Sequence, residues 1–337
     1  MPPHPETWLR PLADGLYCEP GGFYIDPLRP VNHAVISHAH ADHARAGHAH
    51  VLATKGTLAV MRTRIGVERI GHTQELPYNE SLRINDVTVS LHPAGHVLGS
   101  AQIAIEYQGA KAVISGDYKR QLDPTCEAFL PQSCDVFVTE ATFGLPVFQH
   151  PAIAEEIAKL LASVALFPER THVVGCYALG KCQRLIAELR QAGYHAPIYL
   201  HGALMQVCET YRQLGVTLGE LLPATVAQKS ALKGAIVLAP PSAIADRWAR
   251  RLEDPVTCMA SGWMQIRQRA KASLIELPLI VSDHADWNDL LTTIRDVGAP
   301  EIWVTHGRED ALLHALSRLQ IRARALRLVG YNDEGEP

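Results

Sequence analysis

The sequence has no long apolar run, and its first residues do not have the pattern of a secretion signal. A membrane-spanning helix needs roughly 20 predominantly apolar residues, and no stretch of this chain approaches that length. The N-terminal stretch MPPHPETWLRPLADG has no basic start followed by an apolar core. We therefore expect a soluble protein that is neither inserted into a membrane nor secreted.

A disulfide framework is also not expected. The seven cysteines are scattered along the chain, and no two of them form a C-x-x-C pair. An odd, dispersed set of cysteines fits reduced thiols better than paired ones, which favours a cytoplasmic location.

Positive charge is not in excess either, since 31 lysines and arginines face 35 aspartates and glutamates. A protein that coats duplex nucleic acid is usually basic, so any nucleic-acid contact here must be local or assisted by bound cations. Local basic pairs such as Lys119 and Arg120 are interpreted, taken alone, as solvent-facing. What the chain does have is 17 histidines, several of them packed into short segments.

The pattern of apolar residues changes along the 337-residue chain, which is long enough for two compact domains or one large one. Short strands rich in valine and isoleucine are predicted first, at 33–37, 87–93, 101–107, 111–116 and 135–140. From about residue 150, strands alternate with helices, which indicates a parallel sheet flanked by helices. Polar strand ends occur before and after this middle part but hardly within it. We therefore predict one domain (1–149) interrupted by an insertion (150–272) and completed by a return segment (273–337).

The strongest motif spans residues 37–43, Ser-His-Ala-His-Ala-Asp-His, directly after an apolar strand. Burying such polar groups without partners is costly, and imidazole with carboxylate is the usual ligand set of zinc and similar ions. On a turn, His38 and His40 can face one ion while Asp42 and His43 face a second. The alternative is an idle, solvent-exposed loop. His48 and His50 lack this spacing and are expected on the surface.

Two further strand ends extend this set. His96 lies between Gly95 and Gly99 after the strand at 87–93, and it is the candidate third ligand of the first ion. Asp117 ends the strand at 111–116, where its two carboxylate oxygens could bridge two cations. Taken alone, each could equally be an ordinary loop or turn residue.

The order of Asp26, the histidine cluster, His96 and Asp117 resembles the metallo-β-lactamase fold, an αββα sandwich that holds one or two metal ions at the sheet edges. The resemblance implies that Asp26, at the end of Gly-Phe-Tyr-Ile-Asp, braces the histidine loop. The fold class is therefore expected to be α/β, or α+β.

Three later strand ends resemble the additional motifs of the β-CASP nuclease branch of that fold, in which a second domain is inserted into the core. They are Glu140 in VTEATFG, His284 in VSDHADW and His306 in VTHG. The resemblance implies that Glu140 orients a ligand histidine and that His284 binds the second metal. It places His306 near the leaving 3′-oxygen, which it could protonate, while Asp42 or Asp117 accepts the proton of the nucleophile.

One segment of the middle part, residues 174–181, runs from a strand into a helix and contains Tyr177, Gly180 and Lys181. A glycine and a lysine at a helix start can form an anion site, although the P-loop pattern is absent. The segment resembles the one that holds a 5′-terminal phosphate in DNA cross-link-repair nucleases. The alternative is an ordinary strand–helix connection with a surface lysine.

The overall resemblance is nearest to the bacterial ligase-associated DNA exonucleases. It implies a two-metal (zinc or manganese) DNA exonuclease of DNA repair that acts 5′ to 3′ on single-stranded or end-containing DNA. An ATP-dependent DNA ligase and a helicase would be partners. His306 is typical of RNA-processing members, so a ribonuclease remains the alternative. A thioesterase or lactonase, and an inactive DNA-end-binding scaffold, are further alternatives.

Overall fold

The computed structural model describes residues 1–244, 247–250 and 252–328, and the chain forms two compact units. The first unit takes in residues 1–149 together with the described residues from 284 onward, and the second takes in residues 150–283. The strand Leu277–Leu279, predicted to open the return segment, pairs within the sheet of the second unit. The predicted domain limits stay a prediction, and residues 329–337 of the predicted return segment lie outside the described residues.

The strands are numbered in chain order: β1 (Leu9–Leu12), β2 (Gly15–Cys18), β3 (Phe23–Ile25), β4 (His33–Val35), β5 (His50–Ala53), β6 (His72–Glu75), β7 (Ser81–Ile84), β8 (Val87–Pro93), β9 (Ala101–Tyr107), β10 (Ala110–Ile114), β11 (Val136–Ala141), β12 (His172–Gly175), β13 (Ile198–Leu200), β14 (Leu221–Pro223), β15 (Ile236–Ala239), β16 (Val256–Ala260), β17 (Leu277–Leu279), β18 (Glu301–Gly307) and β19 (Arg322–Ala325).

The helices are α1 (Lys55–Ile65), α2 (Ile153–Leu166), α3 (Lys181–Gln191), α4 (Gly202–Gln213), α5 (Pro241–Ile244), α6 (Arg247–Arg250), α7 (Arg267–Ala272), α8 (Trp287–Val297) and α9 (Glu309–Arg318). A single helix was predicted over 243–251. The described residues 243–244 and 247–250 are helical and belong to α5 and α6, while residues 245–246 and 251 lie outside the described part. No helix within the described ranges combines the length and the apolar character needed to cross a bilayer.

Two sheets form the first unit and enclose its main core. The first sheet has the order β1 to β6, and the second has the order β19-β18-β11-β10-β9-β8-β7. Alternate residues of β8 are buried, as expected for a strand with one face on a core. Leu16 and Val35 of the first sheet belong to the same buried cluster as Val89 and Ile103 of the second.

A second apolar cluster joins the second sheet to two helices of the same unit. Leu290 of α8 and Leu312 of α9 are buried in the cluster that contains Val113, Phe137 and Val304. Helix α1 packs beside β6 of the first sheet. The first unit therefore has helices and two packed sheets in the arrangement that the sequence predicts.

The second unit is built on a parallel sheet with the order β14-β13-β15-β12-β16-β17. All four residues of β12 and of β15 are buried, as expected for central strands of a sheet covered on both faces. The predicted alternation of strands and helices is thus observed.

Candidate metal centre

The predicted ligand segments follow strands of both sheets in the first unit. Asp26 follows β3 with a left-handed backbone (φ 43°), and the histidine loop follows β4, which is parallel to β3. His96 follows β8, and Asp117 follows β10. Gly116 lies so close to the histidine loop that a Cβ there would be 2.9 Å from the Cβ of Ser37.

Four of the predicted ligands form one group of donor atoms. His38, His40, His96 and Asp117 each offer an atom within 4.8 Å of the others. The Nε2 atom of His38 lies 3.4 Å from Oδ2 of Asp117, and Nε2 of His96 lies 3.7 Å from the same oxygen. The side chains of His38 and His96 are fully buried, so this group is held rigidly.

Asp117 belongs to two further groups. One contains His43 and His306, and the other contains Glu140 and His284. The Nε2 atom of His43 lies 3.5 Å from Oδ1 of Asp117, the oxygen opposite to the one that faces His38. The two oxygens of the Asp117 carboxylate therefore face different histidines, as predicted for a residue placed between two cations.

Asp42 was also predicted to be a ligand, but it belongs to none of these groups within the described residues. Its side chain is 63% exposed, and its Oδ2 atom lies 3.6 Å from Nε2 of His43. His40, His284 and His306 are partly exposed. The centre is therefore open to solvent on the side of Asp42.

The buried charges of the centre shift one another's pKa values. Burial raises the pKa of Asp117, but His43, His284 and His38 outweigh burial and hold that pKa well below its usual value. Burial lowers the pKa of His43, yet the carboxylates of Asp117 and Asp42 reverse this and raise it well above normal. For His96, burial and its histidine neighbours together keep the pKa well below normal. The carboxylate of Asp117 and the imidazole of His96 are thus held in the forms that bind cations.

The surroundings of His306 affect its protonation, while its predicted role as a proton donor stays a prediction. Burial, followed by the proximity of His43, lowers the pKa of His306 to about 4. A proton donor must carry its proton at working pH, whereas a metal ligand must be neutral imidazole. With this pKa the His306 imidazole is neutral near pH 7, which is the form that can bind a metal ion.

The donor set fits divalent cations of the zinc and manganese type. Five imidazoles (His38, His40, His43, His96 and His306) and the carboxylate of Asp117 account for two of the groups, and both atom types bind these ions. The seven cysteines are all free thiols, and none belongs to these groups.

Comparisons with known proteins agree with this fold, although no protein-family profile matches the chain. A crystal structure of a protein of unknown function from Enterococcus faecalis covers 88% of this chain and 80% of its own, with a TM-score of 0.61 and 12% identity. At that identity the likeness concerns the fold alone.

Two curated relatives match most of this chain. A protein of Opitutus terrae named "Probable DNA ligase" is 29% identical over 327 residues, which are 95% of this chain but only 31% of that protein. The chain thus spans about a third of that relative's length. Ribonuclease TTHA0252 of Thermus thermophilus is 24% identical, over 80% of this chain and 74% of its own.

These likenesses agree with the predicted resemblance to β-CASP nucleases of the metallo-β-lactamase fold. The predicted fold class is therefore confirmed.

Two buried carboxylates hold histidines of the candidate metal centre in place. Asp26 accepts hydrogen bonds from the Ser37 amide (2.7 Å) and the Ser37 hydroxyl, and its Oδ2 atom lies 2.8 Å from Nδ1 of His43. Glu140 accepts one from the Tyr118 amide (2.8 Å), and its Oε2 atom lies 2.9 Å from Nδ1 of His284. These contacts are those that the bracing roles predicted for Asp26 and Glu140 require.

Sequence reasoning missed other residues that hold the loops of this candidate metal centre. The Ser100 hydroxyl accepts the amide protons of His96 (3.1 Å) and Val97 (3.2 Å). The Lys119 ammonium donates to the His96 carbonyl (3.4 Å) and to Asp123 (2.7 Å). Lys119 was expected to face solvent, but it is buried. Its position two residues after Asp117 was the only available signal, and a lysine is seldom buried.

Replacing Lys119 with methionine is expected to lower the free energy of unfolding by about 3 kcal/mol, because Asp123 would keep a buried charge without its cation. Urea-induced unfolding measures this. The matched control is Arg120→Met, which removes a partly exposed pair with Asp296 (2.7 Å) and should cost less than about 1 kcal/mol. Equal losses in the two variants would show that burial of the pair does not matter.

The predicted phosphate segment lies in the second unit. Gly180 precedes α3, and the Lys181 side chain is fully buried. Its Nζ atom lies 4.8 Å from the centre of the Tyr177 ring and 3.8 Å from Oδ2 of Asp283. A phosphate would have to compete with that carboxylate, so the anchoring role of Tyr177, Gly180 and Lys181 stays a prediction.

The expectation for His48 was wrong, because its side chain is buried and its Nδ1 atom accepts the Val31 amide proton (3.3 Å). His50 is exposed, as expected.

Proposed function

We propose that this chain is a metal-dependent nuclease that hydrolyses phosphodiester bonds of DNA from a free end. The observation that carries the proposal is the carboxylate of Asp117, which is shared by three groups of donor atoms beside an open rim. Two-cation sites of this kind suit phosphoryl chemistry, in which charge develops on several oxygens at once.

The candidate ligands are assigned to two ions. His38, His40, His96 and Asp117 would hold one ion, and Asp117, His43, His306 and His284 are the candidates for a second. Zinc or manganese bound there would polarise the phosphate and lower the pKa of a water from 15.7 to ~7.

Other side chains of the centre orient the ligand imidazoles and accept a proton. Asp26 fixes the ring of His43, and Glu140 fixes that of His284, so both imidazoles present a defined nitrogen to the centre. The exposed Asp42 carboxylate can accept, at Oδ2, the proton of the attacking water. The buried walls around His38 and His96 exclude bulk water and strengthen the local electrostatics.

DNA is favoured because the relative that matches 95% of this chain is named as a probable DNA ligase. That likeness also favours an ATP-dependent DNA ligase as a partner and a role in DNA repair. The helicase partner and the cytoplasmic location stay predictions, the latter resting on the free cysteines. Polarity from a 5′-phosphate depends on Lys181 and stays part of the proposal.

RNA is the second candidate substrate, because a relative that matches 80% of this chain is named a ribonuclease. The two candidates are separated by digestion of end-labelled single-stranded DNA and RNA of one sequence. Each strand carries either a 5′-phosphate or a 5′-hydroxyl. A chelator first removes bound metal from the protein, and zinc or manganese is then added.

We expect stepwise shortening of DNA, faster with the 5′-phosphate, and no shortening by His38→Ala. Faster cleavage of RNA would replace the DNA proposal with the ribonuclease. Cleavage of neither strand, with turnover of a small thioester or lactone, would overturn the nuclease proposal.

A further inference from the structure

Three exposed histidines form a row across the first sheet. His33, His50 and His72 are the first residues of β4, β5 and β6, and they lie side by side in the parallel register. The rings of His33 and His50 are stacked, with centroids 4.7 Å apart and planes at 11°. The centroids of His50 and His72 are 5.6 Å apart.

The backbone beneath this row is held by hydrogen bonds. The His50 amide donates to the Asn32 carbonyl, and the His72 amide donates to the Ala49 carbonyl, both at 2.8 Å. Strand pairing thus holds the backbone of the row, and rotation of the three side chains is the change that would turn their ring nitrogens toward one ion. A site prepared in this way loses less conformational entropy on binding.

We propose that His33, His50 and His72 bind a divalent transition-metal ion, of the nickel, copper or zinc type, at the protein surface. Imidazole is a favoured ligand of these ions, with metal–nitrogen distances near ~2.0–2.1 Å for zinc. Magnesium and calcium prefer oxygen ligands and are not expected there.

This row is separate from the candidate metal centre. The three histidines start parallel strands, whereas Asp26 and the loop at 37–43 follow the ends of β3 and β4. In a set of parallel strands, all first residues lie at one end of the strands and all last residues lie at the other end. The proposal therefore does not rest on the proposed nuclease function.

An ion there would have a structural consequence for the sheet. Strand β6 is its last strand and pairs with β5. An ion held by His50 and His72 would tie this edge strand to its neighbour, and edge strands are otherwise exposed to unwanted pairing. Binding to the folded state would also raise the melting temperature.

Equilibrium dialysis with nickel tests the proposal on the full chain. The wild-type protein should bind one equivalent more than His50→Ala, or bind that equivalent at least about tenfold more tightly, because His50 contacts both neighbours. The control is His314→Ala, which removes an exposed histidine of α9 and should match the wild type. His38→Ala should still bind the nickel equivalent that His50→Ala loses. Phosphodiester cleavage by His50→Ala should be unchanged.

Three results would overturn the proposal. One is equal nickel binding by the wild type and His50→Ala. Another is an equal loss in His314→Ala, which would indicate adsorption to any surface histidine. The third is loss of the added equivalent in folded His38→Ala, judged by circular dichroism. If His38→Ala does not fold, the unchanged cleavage rate of His50→Ala decides whether the two sites are separate.

Discussion

Replacing Asp117 with asparagine is expected to slow phosphodiester cleavage at least about a thousandfold and to release bound metal, since cations supply several kcal/mol of transition-state stabilisation. The carboxylate of Asp117 is the member shared by all three groups of donor atoms. Asparagine keeps the shape of the side chain but loses its charge, and its amide nitrogen cannot bind a cation.

The matched control carries the same chemical change at Asp42, which lies outside those groups and is exposed. Asp42→Asn should retain the metal of the wild type while cleavage falls about 10²- to 10⁴-fold, as for loss of a proton acceptor. Metal content by atomic emission and single-turnover rates measure both effects. Metal loss from Asp42→Asn but not from Asp117→Asn would reverse the assignment.

The second large effect is expected from Asp26→Asn. Metal affinity should fall about 10- to 100-fold, as is typical when the residue that orients a ligand is changed. The Asp26 carboxylate accepts both protons of Ser37 and faces Nδ1 of His43. An amide has a single acceptor oxygen and cannot serve all three contacts. Asparagine also tolerates the positive φ angle at this position.

Competition with a chelating dye measures this affinity, and the melting temperature tests whether the fold is kept. The control is Asp86→Asn, an exposed aspartate in the turn between β7 and β8. Unchanged metal affinity in a folded Asp26→Asn variant would mean that His43 binds metal without being oriented by the Asp26 carboxylate.

The residues of the candidate metal centre could be predicted from the sequence because their chemistry is local. His38, His40 and His43 lie within six residues after an apolar strand, and Asp117 ends another. The strands with continuous or alternating apolar residues, such as β8 to β11, were predicted for the same reason. Their burial follows directly from the pattern.

Other elements carry no such pattern. Strand β6 (His-Thr-Gln-Glu) has no apolar residue, and the alternation of Leu82 and Ile84 with polar residues in β7 covers only four positions. Their pairing depends on neighbours distant in sequence, which is a tertiary effect.

The same holds for roles that depend on burial. Burial beside His43 lowers the pKa of His306 to about 4, and this shift could not be predicted from the sequence. Lys119 was expected in solvent, yet it holds the loop of His96 from inside. Neither environment can be read from adjacent residues.

The most direct test of the account is a crystal structure of manganese-loaded protein, with the ions located by anomalous scattering. The account predicts two peaks in the first unit, one among His38, His40 and His96 and one beside His43, with Asp117 in contact with both. A single peak without Asp117, or peaks only at the surface row of His33, His50 and His72, would contradict it.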